Sequence, residues 1–280
     1  MKPFYILYIF LLLSIASCTD VIEVDVPEAP PRLTIEASLD WERGTTGTNQ
    51  TILLSTSTPY FAEQKIAPVL GASVRVTNTD TGAEFVFEDQ SNGQYTTSSF
   101  IPVLGDTYLL EVIYNNERYT ATETLVPVSN IVDVFQSTEN GDDEDALEVN
   151  VTFEDPAGVE NYYFLRFQSD ADLFPELYYI KDEFIDGNEF TIYYEKLADE
   201  DDGNAEFQSG DTVDIALYGI SEQYHDYLRL LVDQYEFAGN PFSPTPVPLV
   251  GNCVNMDDPE NIAYGYFRVT ETIKTQYTFE

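Results

Sequence analysis

From residue 32 onward, apolar and polar positions alternate over short runs, the period of two that a half-buried strand requires because successive side chains point to opposite faces. Leu33, Ile35, Ala37 and Leu39 alternate with Thr34, Glu36 and Ser38. Val74 and Val76 repeat the pattern, and Asp80-Thr81-Gly82 then turns the chain into Phe85 and Phe87. Residues 108–114 and 118–125 flank Asn115-Asn116, and asparagine tolerates the positive φ of a tight hairpin turn.

The pattern breaks at 127–130 and resumes with predicted strands at 131–136, 146–153, 161–168, 190–194 and 212–218. One segment has a different period. Ser221 can cap a helix on which Tyr224, Tyr227, Leu228, Leu231 and Tyr235 recur at helical spacing, and Gly239 followed by Pro241 stops it, giving a helix over 221–237. A proline-rich loop, 241–248, leads to a last strand at 263–271. The expected fold is mainly β, with two β-sandwich domains. The first, 32–128, carries six to seven short strands of the immunoglobulin or transthyretin type. The second, 129–280, is β-rich and holds the single amphipathic helix.

The N-terminus departs from this alternation. Lys2 precedes an apolar stretch, 4–15, about half of the roughly 20 residues needed to span a bilayer. It reads as a signal peptide over 1–17. Ile15-Ala16-Ser17-Cys18 resembles a bacterial lipobox, in which the cysteine thiol is joined to diacylglycerol after cleavage just before it. Cys18 is therefore the expected lipidation site, and 18–31 an acidic, proline-rich tether. Thr19 stands where an Asp tends to retain lipoproteins at the inner membrane, which favours the outer membrane. Asp20, Glu23 and Asp25 look like a surface-export signal, or else a solvated tether.

Composition narrows the chemistry. The 280 residues carry 12 Lys and Arg against 50 Asp and Glu, a formal charge of −38, which argues against binding nucleic acid through clustered cations. With 20 Tyr and 18 Phe, the chain has too much apolar surface for a disordered acidic tail. His225 is the only histidine and Cys18 and Cys253 the only cysteines, so thiolate-rich zinc and iron–sulfur sites are excluded. Any Ser-His-Asp or Cys-His mechanism would run through His225, which is expected on the solvent face of the helix, with Asp226 pointing to a different face. Cys253 is expected to be buried and inert. Neither a cofactor nor a resident metal is expected. The acidic loops 140–145 and 199–204 could supply oxygens to calcium but read first as solvated turns.

Aromatic residues gather at Tyr162, Tyr163 and Phe164 and through the 169–187 connection. Tyr162 and Phe164 share one strand face and Tyr163 takes the other. One face could be core and the other a platform, but packing on both faces is the preferred reading. The 169–187 segment is long for a β-connection and carries Phe174, Tyr178, Tyr179 and Phe184. These four are the candidate binding residues, for an unknown ligand or partner.

Several segments together carry a family resemblance. They are the lipobox, the Ile-Glu-Val-Asp-Val start, Arg32-Leu33-Thr34-Ile35-Glu36-Ala37 and Gly71-Ala72-Ser73-Val74-Arg75-Val76. Tyr119-Thr120-Ala121-Thr122-Glu123-Thr124, the Tyr-rich helix and Gly265-Tyr266-Phe267 complete the series. In this order they resemble the Bacteroidota lipoprotein family labelled domain of unknown function 4249. Members are typically encoded beside TonB-dependent outer-membrane transporters. The resemblance implies a non-enzymatic outer-membrane lipoprotein at the cell surface, accessory to such a transporter in recognising or retaining its substrate, and it transfers no catalytic residue. The alternatives are a structural or adhesive surface module and a carboxylate-based hydrolase.

Overall fold

The alternation at 33–39 is realised in the first strand of the computed structural model, which describes residues 30–59, 67–170, 172–196, 205–236 and 247–280. The first strands are Leu33–Glu42 (β1), Gln50–Thr56 (β2), Ala67–Pro68 (β3), Ser73–Asn78 (β4), Glu84–Asp89 (β5), Gln94–Thr97 (β6), Thr107–Tyr114 (β7) and Glu117–Thr124 (β8). Ile131–Ser137 (β9), Glu148–Glu154 (β10), Tyr162–Ser169 (β11), Glu176–Lys181 (β12), Glu189–Glu195 (β13) and Thr212–Ile220 (β14) follow. The helix Glu222–Glu236 (α1) and the strands Val254–Asn255 (β15) and Tyr264–Thr278 (β16) close the chain. The expected signal peptide, Cys18, the expected tether up to residue 29, the 199–204 loop and the helix stop at Gly239 and Pro241 lie outside the described residues.

β1 to β8 enclose one core. Ile35 and Leu39, Ile52 and Leu54, Val74 and Val76, Phe85 and Phe87, and Leu110 and Val112 are all buried together in it. The β7–β8 hairpin turns through Asn115 at φ 50° and Asn116 at φ 65°, the left-handed conformation expected of this pair. Tyr108 anchors a neighbouring loop: its hydroxyl donates to the Ile101 carbonyl at 2.9 Å and accepts from the Val103 amide at 2.8 Å.

A second core lies between two layers. The three-stranded sheet β13-β10-β9 supplies Val149, Val151 and Phe153, and β11 and β14 supply Tyr163, Leu165, Phe167, Val213, Ile215 and Leu217. The opposite face of β11 and β14 is also covered. There Tyr162, Phe164, Tyr218 and Ile220 pack under Tyr224 and Leu228 of α1. Both faces are packed, as preferred from the alternation.

The 169–187 segment holds more structure than a loop. Its residues 176–181 form β12, which pairs antiparallel with β11, Tyr163 opposite Ile180 and Leu165 opposite Tyr178. Asp182–Phe184 then make a 3-10 turn.

The closing strand serves both cores. β16 pairs parallel to β1 from Thr34–Tyr264 to Glu42–Thr272 and antiparallel to β14 from Tyr218–Thr272 to Thr212–Thr278. Phe267 and Val269 enter the first core and Ile273 and Tyr277 pack against the second. Cys253 and Ala263 also lie in the first core, and β15 pairs with β8. The expected boundary at 128/129 is thus crossed by strand pairing, and Pro31–Glu280 form one compact unit. Gly265 makes the β1–β16 contact possible. Its φ is 86°, and a Cβ there would overlap the Ile35 carbonyl. Among the described residues no helix is long and apolar enough to cross a membrane.

Candidate functional site

The helix-covered face concentrates the unusual side chains of the molecule. Ser221 caps α1 as expected, its hydroxyl oxygen accepting the Tyr224 amide at 3.2 Å. The same hydroxyl donates to Glu123 Oε2 at 3.1 Å, and Tyr266 Oη donates to that oxygen at 3.3 Å. Burial pushes the Glu123 carboxyl up to about 7, against the Thr124 amide and the two hydroxyls that favour its charged form.

Arg268 projects from β16 under the helix. Its Nη2 donates to both oxygens of Asp40, at 2.7 and 3.0 Å, and Nη1 donates to Tyr224 Oη at 2.8 Å. The guanidinium carbon lies 4.8 Å from the Tyr224 ring centroid and 5.1 Å from that of Tyr218. Burial works against this charge, and Asp40 outweighs it, so the pKa stays above the ordinary arginine value. The group is a charged tie between sheet and helix, enclosed by aromatic rings.

His225 is not on the solvent face. It is 9% exposed, with its ring centroid 5.2 Å from Tyr162 and 5.6 Å from Tyr179. The expectation placed it off the apolar stripe, but β11 and β12 form a wall that reaches past that stripe. Asp226 Oδ1 is 3.5 Å from Nδ1, yet Nδ1 makes no hydrogen bond. Burial lowers the imidazole pKa, Asp226 opposes that shift, and Arg229 and Lys181 reinforce it. Cys253 is buried as expected, and burial pushes its thiol up to about 12.

The four candidate binding residues do not share a surface. Tyr178 packs against the inner core, edge to face with Phe167 at 5.7 Å. Tyr179 lies under α1, its hydroxyl donating to Asp233 at 3.3 Å. Phe184 sits on the 3-10 turn, 90% exposed. Phe174, 62% exposed, meets Tyr235 at 6.2 Å between centroids. With Pro175, Leu177 and Leu231 these two line an apolar groove of about 320 Å³. Leu231 and Tyr235 belong to the helical stripe read from the sequence, but they are 38% and 67% exposed.

The 140–145 loop is held by carboxylates outside itself. Glu148 Oε1 accepts the Asn140 amide at 2.9 Å, and Glu195 accepts those of Asp142 and Asp143 at 2.8 and 3.1 Å. Asp142, Asp143, Glu144 and Asp145 are exposed, as in a solvated turn. A tighter acidic group was not anticipated. Carboxylate oxygens of Asp155, Asp182 and Asp186 lie within 4.8 Å of one another. They are hard ligands of the kind calcium takes, but they already hold backbone. Asp155 accepts from Tyr163 Oη at 2.6 Å and the Gly187 amide at 3.1 Å, Asp182 from the Asn161 amide at 2.8 Å, and Asp186 from the Gly158 amide at 2.6 Å. Together they clasp the 155–161 loop to the turn after β12.

A family model described as "Domain of unknown function (DUF4249)" matches residues 19–276. No curated protein matches the chain. Among solved structures, the FN1-FN3 domains of chicken CNTN1 align at 12% identity and a TM-score of 0.26, over 69% of this chain and 64% of that one. The present chain therefore spans less than two thirds of that structure. A two fibronectin type-III domain segment from chicken tenascin aligns at 9% identity and a TM-score of 0.21, over 68% of this chain and 90% of that one.

Proposed function

The chain belongs to the family described as Domain of unknown function (DUF4249), and we propose that it is a non-enzymatic lipoprotein of the outer membrane, displayed at the cell surface. In this reading it assists a TonB-dependent transporter in recognising or retaining a substrate. The observation that carries the proposal is Ile15-Ala16-Ser17-Cys18 at the end of the apolar 4–15 stretch. A thiol at that place is suited to acylation, and multiple acyl chains anchor a protein stably because each buried methylene contributes roughly 0.8 kcal/mol. The burial of His225 against Tyr162 and Tyr179, and of Cys253 in the first core, supports a binding role over nucleophilic catalysis.

The test is recovery of the full-length protein from native membranes in mild detergent, followed by identification of what comes with it. A TonB-dependent barrel in comparable amount supports the reading. Recovery without one, from protein still bound to the membrane, overturns the transporter part. Cys18→Ala is expected to abolish palmitate incorporation and release the chain from membranes. Digestion of the protein on intact cells by external protease tests the surface assignment, and full protection overturns it.

A further inference from the structure

The outer face of β1 forms the floor of a cleft of about 780 Å³ beside α1. Leu33 and Ile35 point into the core, so Arg32, Thr34 and Glu36 take the opposite face and line the cleft. Tyr227 and Gln234 of α1 form one wall and Tyr264 of β16 another. Two features hold this frame. Gln234 Nε2 donates to the Val247 carbonyl at 3.1 Å. The Arg32 backbone is tied to Ser57 in both directions, its amide donating to Ser57 Oγ at 2.9 Å and its carbonyl accepting the Ser57 amide at 2.8 Å.

Neither charge in the cleft has an ionic partner among the described residues. Arg43, Arg75, Arg118, Arg229 and Arg268 each have a carboxylate within ion-pair distance, and Arg166 donates instead to the Gln168 side-chain oxygen at 3.0 Å. Arg32 has no such carboxylate among the described residues, and its Nη1 donates to the Glu260 and Ile262 carbonyls at 3.3 and 3.5 Å. Glu36 is exposed and makes no ion pair among the described residues. A cation and an anion thus stand on the same strand face four residues apart, a span of about 13 Å at roughly 3.3 Å per residue.

We propose that this cleft binds a short peptide with free termini, its carboxylate on Arg32 and its ammonium on Glu36. An extended peptide of about four residues covers the same span. Tyr227 and Tyr264 offer aromatic surface to its side chains, and Thr34 and Gln234 offer hydrogen-bonding groups to its backbone. Burial pushes the Tyr227 phenol up to about 12, so that wall is uncharged. An acidic oligosaccharide would satisfy Arg32 and be repelled by Glu36, and a neutral one would leave both charges unmatched. A chain of net charge −38 repels anions at a distance, whereas a zwitterion has no net charge to be repelled. The assignment names a substrate class for the capture role and rests on that role only for what happens to the peptide after binding.

The experiment is calorimetric titration of the full-length protein in detergent with the tetrapeptide Ala-Phe-Phe-Ala, its C-terminal amide and its N-acetyl form. Saturable binding of the free peptide is expected, weakened at least tenfold by either modification. Arg32→Gln should weaken the free peptide to the same degree and make amidation silent, and Glu36→Gln should make acetylation silent. Both side chains lie outside the cores, so melting temperatures should hold. Absence of saturable binding up to millimolar peptide overturns the proposal, as does binding indifferent to amidation or to Arg32→Gln. Binding of tri-galacturonic acid that needs Arg32 but not Glu36 overturns it in favour of an acidic glycan. A failed titration leaves barrel co-purification untouched, and failure to recover a barrel leaves the titration untouched.

Discussion

Arg43 and Glu271, 228 positions apart in the chain, are joined by two hydrogen bonds, Nε to Oε1 at 2.9 Å and Nη2 to Oε2 at 2.8 Å. The same guanidinium reaches the Val128 carbonyl through Nη2 and Asn130 Oδ1 through Nη1. Glu271 Oε2 also accepts the Val128 amide at 2.9 Å. One ion pair therefore locks the end of β1, the 128–130 segment and β16 where the two cores adjoin. Glu271 is 3% exposed and Arg43 35%. Arg43→Ala is expected to destabilise the protein by about 1–3 kcal/mol, below the roughly 3–5 kcal/mol of a fully buried broken pair because the arginine is partly solvated. Chemical denaturation measures it, and a change under about 0.5 kcal/mol would contradict the clamp.

Burial pushes the Glu271 carboxyl up, but Arg43 and the Val128 amide outweigh it and the net shift is downward. The stabilisation is therefore present above the unfolded value of 4.5 and lost as pH falls through the folded one. Glu271→Gln should flatten that acid limb in a pH series of melting curves.

Glu123 behaves oppositely. Its folded carboxyl keeps the proton up to about 7 and the unfolded one releases it near 4.5, so its contribution is greatest below 4.5 and declines as pH rises through 7. The difference is on the order of 3 kcal/mol. Glu123→Gln is expected to gain on the wild type across that window, and parallel stability profiles for the two proteins would refute the assignment.

His225 carries the only imidazole, so its proton resonance needs no assignment. Because burial favours the neutral ring, the titration midpoint in the folded protein should lie below 6.5. Stability from this group is lost as pH falls below 6.5. A midpoint at or above 6.5 would mean that Asp226 outweighs burial and would contradict the expected shift.

Gly265→Ala forces a Cβ against the Ile35 carbonyl at φ 86°. A loss of about 3 kcal/mol or more is expected, beyond the roughly 1 kcal/mol of the left-handed conformation alone. Gly44→Ala is the control, since at φ 87° its added Cβ meets nothing within 4 Å. Equal effects of the two substitutions would remove the argument for a close approach.

Replacing Tyr178 and Tyr179 together by Ala should lower the melting temperature, because both side chains pack against buried clusters. About 2–4 kcal/mol is expected for the pair. Phe184→Ser should stay within about 0.5 kcal/mol, the ring being 90% exposed. A stable double mutant would return these tyrosines to the list of surface contacts.

Alternation made most elements legible. β1, β4, β5, β7, β8, β9, β10, β11, β13 and β14 all appear where short-range pattern and turn residues put them, and Ser221 caps the helix it was expected to cap. β12 was hidden because Leu177-Tyr178-Tyr179-Ile180 is apolar on both faces, and a strand packed on both sides loses the period of two. The acidic clasp at Asp155, Asp182 and Asp186 had no local signal, since its members come from separate segments.

By itself the sequence determined the β class, the capped helix, the acidic surface and, in the Ile15 to Cys18 motif, a candidate anchor. These follow from near-neighbour patterning, which a linear reading can see. The tertiary structure alone decided that β16 runs parallel to β1 and joins both cores, that His225 is enclosed, and that Arg32 and Glu36 share an open cleft with Tyr227 and Tyr264. Strand pairing is set by side-chain complementarity across more than two hundred residues, and burial depends on which faces that pairing brings together.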